Sequence, residues 1–121
     1  MKSLDLKTLE TALQTRAREL ARSVAERNQI AIERSADTFD ATLRAAERES
    51  SARSLEQDSR LLRQVEAARD RIRDGSFGVC VRCEEEIALK RLQAIPWALY
   101  CLSCQERAEG AMVLSGLARA A

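Results

Sequence analysis

Histidine is absent from this chain of 121 residues. Its absence removes the commonest general base near neutral pH, together with every Ser/His or Cys/His nucleophilic pair, so the chain does not read as an enzyme. Bulky apolar residues are scarce as well. Hydrophobic residues make up 45% of the sequence, but 20 of them are alanine and only Phe39, Phe77, Trp97 and Tyr100 are aromatic, which is too little mass for a deep globular core. Neither sign of charge is in excess, since 20 Lys plus Arg face 19 Asp plus Glu, and this argues against a polybasic binder of nucleic acid or membrane surfaces. No apolar run approaches the roughly 18 residues of a membrane span, and Met1-Lys2-Ser3-Leu4-Asp5 opens directly into charged, helix-forming sequence without a secretory signal. The expectation is a soluble, cytoplasmic protein with no membrane partner.

What is present falls into two parts. Residues 1–74 contain no Gly, Pro or Cys, whereas residues 75–121 hold all four Gly, the single Pro, all four Cys and three of the four aromatics. The first part is rich in the helix formers Ala, Leu, Glu, Arg and Gln. Leu6, Leu13, Ala17, Leu20, Val24 and Ala31 fall on one coiled-coil seam, interrupted by Glu10 and Arg27; Leu55, Leu62, Val65 and Ile72 form a second, weakened by Ser51 and Asp58. A single helix of this length would leave its stripe without a partner, while two arms of about 34 residues match and zip antiparallel. Each arm would reach roughly 50 Å, holding a tip at residues 35–40 far from the rest. The fold class expected is mainly α: a long antiparallel helical hairpin over 1–74, then a small four-cysteine domain over 75–121. That second part ends in a short helix from Gln105 to Ala120, interrupted by Gly110 and Gly116.

The cysteines carry the strongest signal. Cys80 and Cys83 enclose two residues, Cys101 and Cys104 enclose two more, and seventeen separate the pairs. Such pairs set on tight turns suit a tetrahedral zinc site, and four thiolates would complete the shell, leaving no open position, so the zinc is structural. Two disulfides or four free thiols are the alternative, disfavoured where no secretory signal is present. A segment with so little apolar area would depend on the metal to fold.

The run Gly75-Ser76-Phe77-Gly78-Val79-Cys80-Val81-Arg82-Cys83, followed by Ile87, Arg91-Leu92, Ala94, Pro96 and Cys101-Leu102-Ser103-Cys104, resembles the zinc-finger signature of the DksA/TraR family of bacterial transcription factors. A helical hairpin before the finger is also the family's architecture. One departure is Glu84, where the family usually has Gly at a knuckle suited to positive φ; a Glu there would cost about 1 kcal/mol. The resemblance implies a regulator that inserts its coiled coil into the secondary channel of RNA polymerase, places acidic tip residues near the active site and modulates initiation. It implies no specific DNA binding and a monomer. On this pattern Asp37 and Asp40 match the tip aspartates and Thr42 stands where an Ala is expected, although Asp37 and Asp40 equally suit capping of the second arm. Arg91 matches a basic residue of the finger and is a candidate polymerase contact, or a partner for an acidic side chain at the domain junction. The positions at which family members that respond to guanosine tetraphosphate (ppGpp) carry cations correspond to Gln64, Ile95 and Gln105, so ppGpp binding is not expected. Two other functions stay open on the residues alone: a zinc-ribbon nucleic-acid binder, disfavoured by five basic against five acidic residues in 75–121, and a helical-hairpin adaptor for another protein.

Overall fold

The structure, a computed structural model, describes residues 2–35 and 41–120, with side chains described for 2–30 and 45–111. Two long helices account for the first part of the chain, α1 (Ser3–Ser35) and α2 (Ala41–Asp74), and they pack against each other antiparallel. Asp5 lies in the first turn of α1 and Arg71 and Arg73 in the last turn of α2, each sign favourable to the helix dipole. Gly75 ends α2 with φ +83°. The amides of Ser76 and Phe77 both turn back to the Arg71 carbonyl, at 3.0 and 3.1 Å, which closes the helix by a Schellman-type turn that only a residue at ease with positive φ accommodates cheaply.

Between the arms, Leu13, Ala17 and Leu20 of α1 bury themselves against Val65 and Ala68 of α2, with Leu61, Leu62 and Ile72 packed around them. The expected seams are therefore present over their finger-proximal half. Leu6 and Val24 are only half-buried, and Leu9, which the sequence reading left off the seam, is almost completely buried. Leu9 does not join the inter-arm core. It packs with Cys80, Ile87, Leu92, Ala98 and Cys104, the core of the cysteine-bearing part, while Phe77 touches both clusters and joins them.

The second part contains two helices, α3 (Leu89–Ala94) and α4 (Leu102–Ala120), and among the described residues its only strand-like pairing is an isolated antiparallel bridge between Val79 and Glu86. The terminal helix corrects the expectation: it starts at Leu102 rather than Gln105 and runs unbroken through Gly110 and Gly116 for 19 residues. A glycine in a helix costs only about 1 kcal/mol, and the helix begins early because the Cys101 carbonyl already accepts the Gln105 amide at 2.9 Å. No described helix is long and apolar enough to cross a membrane.

Candidate metal centre

Each cysteine pair sits on a turn built by backbone hydrogen bonds. The Cys80 amide donates to the Glu85 carbonyl at 2.8 Å, and the Glu84 amide donates back to the Cys80 carbonyl at 3.0 Å, so the chain doubles over around Cys83. Glu84 completes this turn at φ +63°, the only non-glycine residue with positive φ among those described, and so carries the strain its position implied. Gly78, at φ +86°, opens the approach to the knuckle, and its carbonyl receives the Ile87 amide at 2.8 Å. The second pair lies at the start of α4, and the two halves are tied by the Val81 amide donating to the Leu99 carbonyl at 3.0 Å. Arg91 adds another tie: its Nε donates to the Tyr100 carbonyl at 3.0 Å. The hydrogen-bond partner shown is thus a backbone oxygen next to Cys101 rather than the acidic side chain considered from sequence.

These turns bring the four sulfurs within 4.8 Å of one another. A zinc ion with Zn–S bonds of about 2.3 Å requires tetrahedral S···S edges of about 3.8 Å, and the Cys83 and Cys101 sulfurs stand 3.7 Å apart. The four cysteines are unbridged, and a disulfide would need sulfurs at about 2.05 Å. Cys80 and Cys104 are buried, Cys101 half-buried and Cys83 exposed, so the site is walled on one side by the Ile87–Leu92 core and faces solvent on the other.

The thiols are not equivalent. Burial raises the Cys80 thiol, but hydrogen bonds from the backbone at Cys83, Cys101 and Arg82 outweigh it and bring its pKa down to about 6. Cys104 is pushed up to about 12, first by its hydrogen bond with Cys101 and then by burial. Cys83 is also raised: a backbone hydrogen bond at Glu85 favours its thiolate, but burial and the Cys80 and Cys101 side chains prevail. Crowded thiols share protons, and a divalent cation displaces them as it binds. The backbone donors that stabilise charge at Cys80 are the outer hydrogen bonds that a zinc–thiolate centre uses. The donor set, spacing and surroundings all fit one structural zinc. With its four ligands supplied by the protein, such an ion orders the chain and offers no site for substrate.

Asp37 and Asp40 lie outside the described residues; Thr42 is in the first turn of α2, its side chain likewise undescribed. Ile95 packs against the finger core, Gln105 donates to Glu109 at 3.2 Å, and Gln64 is half-buried on α2.

Residues 75–110 match the family model described as the prokaryotic dksA/traR C4-type zinc finger. A curated relative, the RNA polymerase-binding transcription factor DksA of Haemophilus influenzae, is 35% identical over 57 residues, which cover 47% of this chain and 39% of that protein. The chain thus matches well under two thirds of the length of that relative. Solved structures extend the likeness over the hairpin. Transcription factor DksA2 from Pseudomonas aeruginosa superposes with a TM-score of 0.80 at 25% identity, covering 93% of this chain and 88% of that one. The DnaK suppressor protein from Agrobacterium tumefaciens has a TM-score of 0.60 at 31% identity, covering 88% of this chain and 96% of its own. With the finger signature, the four-sulfur cluster and the hairpin in agreement along nearly the whole length, the chain belongs to the DksA/TraR family.

Proposed function

We propose that this protein is a transcription regulator that binds RNA polymerase through the secondary channel and modulates initiation without catalysing a reaction or recognising a DNA sequence. The observation that carries this reading is the pairing of two helices of 33 and 34 residues with a compact four-cysteine base, an arrangement shared with DksA2 over 93% of the chain. A projecting rod of this length suits a deep, narrow passage better than a flat surface. In this reading residues 75–121 form the base, Cys80, Cys83, Cys101 and Cys104 hold its zinc, residues 35–40 form the tip, and Asp37, Asp40 and Thr42 approach the polymerase active site. Arg91 is a further polymerase contact, and the protein acts as a monomer.

The test replaces Asp37 and Asp40 together by Asn, which preserves most capping capacity and removes the charge. Polymerase should still be retained in a pull-down while the effect on transcription is lost. A double variant that regulates as well as the parent would return both aspartates to a capping role, and a parent that retains no polymerase would defeat the reading altogether. Because Gln64, Ile95 and Gln105 supply no cation, regulation should be independent of ppGpp when measured with a polymerase whose own nucleotide site is disabled.

A further inference from the structure

The irregularities of the two seams meet one another partway along the hairpin. Asp58 of α2 accepts a hydrogen bond of 3.0 Å from the Ser23 hydroxyl, and Arg27 Nη1 stands 3.1 Å from the same carboxylate oxygen, Oδ2. The side chains are partly shielded, Asp58 being 24% and Arg27 38% exposed. Ser23 and Arg27 lie one helical turn apart on one face of α1, so a single carboxylate on the opposite arm reaches both only when the arms are level at this point.

The position of this cluster is informative. Every fully buried inter-arm residue, from Leu13 to Leu20 and from Val65 to Ala68, lies on its finger side. Outward of Leu20, no residue of α1 whose side chain is described is buried, and the same holds for α2 from Ala45 to Gln64; Val24 and Leu55 are only half-buried. Fifteen residues of α1 separate Leu20 from the helix end at Ser35, roughly 22 Å of rod. Among the described side chains, aliphatic cohesion between the arms therefore fades where the polar cluster begins. A charge-assisted, two-donor contact is directional where aliphatic contact is not, and a polar residue in a coiled-coil seam fixes alignment at some cost in stability.

We infer that Ser23, Arg27 and Asp58 form a polar clasp that holds the two arms together and in register beyond their aliphatic core. Its importance for transcription rests on the polymerase reading above; the clasp itself does not. It is a positioning device, and being partly exposed and ionic it should weaken with salt.

Amide hydrogen exchange on the intact, zinc-loaded protein tests it without polymerase, so failure of the functional reading leaves the result untouched. Asp58→Ala should accelerate exchange about tenfold over residues 21–35 and 41–57, while residues 61–74 and the zinc content stay as in the parent. Asp58→Asn, which still accepts from Ser23, should fall between. The double variant Arg27→Leu, Asp58→Leu should recover distal protection and, unlike the parent, keep it in 1 M salt. Distal exchange in Asp58→Ala equal to the parent's, or acceleration spread evenly over both arms, would overturn the clasp. So would distal protection in the parent that does not respond to salt.

Discussion

The hairpin and the finger solve the same shortage of apolar mass in different ways. Between the arms, Leu13, Ala17, Leu20, Val65 and Ala68 suffice because regular helices satisfy their own backbone and need only one face covered. The finger's stretch ahead of α3 has no helix to rely on, and two of the six residues of the core around it are the cysteines Cys80 and Cys104. The order of that stretch comes from turns, the isolated Val79–Glu86 bridge and the capacity to hold a metal ion. The lesson is that the arms should be tolerant of what happens to the metal, and the finger should not. Three residues qualify that separation: Leu9 is an arm residue buried in the finger core, Phe77 is a finger residue lodged against both, and Trp97 is a finger residue packed against the inter-arm core.

The largest effect should come from removing the metal. Zinc sites of this kind supply about 10 kcal/mol or more of folding free energy, so a strong chelator, or Cys104→Ser, should abolish the near-ultraviolet dichroism of Trp97 and Tyr100 in the finger. The far-ultraviolet helical signal of α1 and α2 should largely persist. Metal analysis of reduced protein should give about one zinc per chain; helical signal that collapsed in step with the finger would show the two regions to be one cooperative unit.

A pair of leucines sharpens the comparison at the next level. Leu13→Ala and Leu9→Ala should each cost about 3 kcal/mol in denaturant unfolding. Leu13→Ala should leave zinc retention against a competing chelator unchanged, whereas Leu9→Ala should weaken it. Equal retention in the two variants would place Leu9 energetically with the arms.

Within the finger, Glu84→Gly should raise stability by about 0.5–1 kcal/mol by relieving the left-handed backbone at φ +63°. Thermal melts of the zinc-loaded forms would check it, and a lower melting temperature would mean that the Glu84 side chain contributes more than its backbone costs. The smallest effect expected lies at the hinge between the regions. Asp74 is held below its ordinary pKa, chiefly by the Ser76 hydroxyl and then by the Ser76 amide at 2.9 Å. A carboxyl depressed on folding stabilises above its unfolded pKa, and that contribution is lost as pH falls through the folded value. Asp74→Asn should therefore lower stability slightly at neutral pH and leave it unchanged below the depressed value, flattening the profile between the two.

Much of this was legible beforehand, for identifiable reasons. Cysteine spacing translates directly into turn geometry, and the absence of Gly, Pro and Cys before Gly75 marks where the hairpin stops. Glu84 could be read because the signature that this segment resembles has Gly at that knuckle, where a positive φ is convenient. Leu9 could not, since a seam drawn through Leu6 and Leu13 passes it by and its neighbours come from far along the chain. Of the Ser23–Arg27–Asp58 cluster only Arg27 and Asp58 were visible, as separate flaws in two seams, because their complementarity to each other and to Ser23 depends on the alignment of the arms. For Arg91, the acidic partner weighed as an alternative gave way to the Tyr100 backbone carbonyl, an acceptor that no residue identity reveals. Likewise the start of α4 at Leu102 depends on the Cys101 carbonyl accepting the Gln105 amide, a bond the residue pattern does not announce.

The burial of Leu9 also sets an order of events during synthesis. The arms can zip soon after residue 74 has been made, because their partners are joined by a short segment. The pocket that receives Leu9 is completed by Ile87, Leu92, Ala98 and Cys104, so it cannot close until the chain through Cys104 has left the ribosome. Until then the first turns of α1 carry an uncovered leucine, and the final docking of that leucine registers that translation has passed the last cysteine.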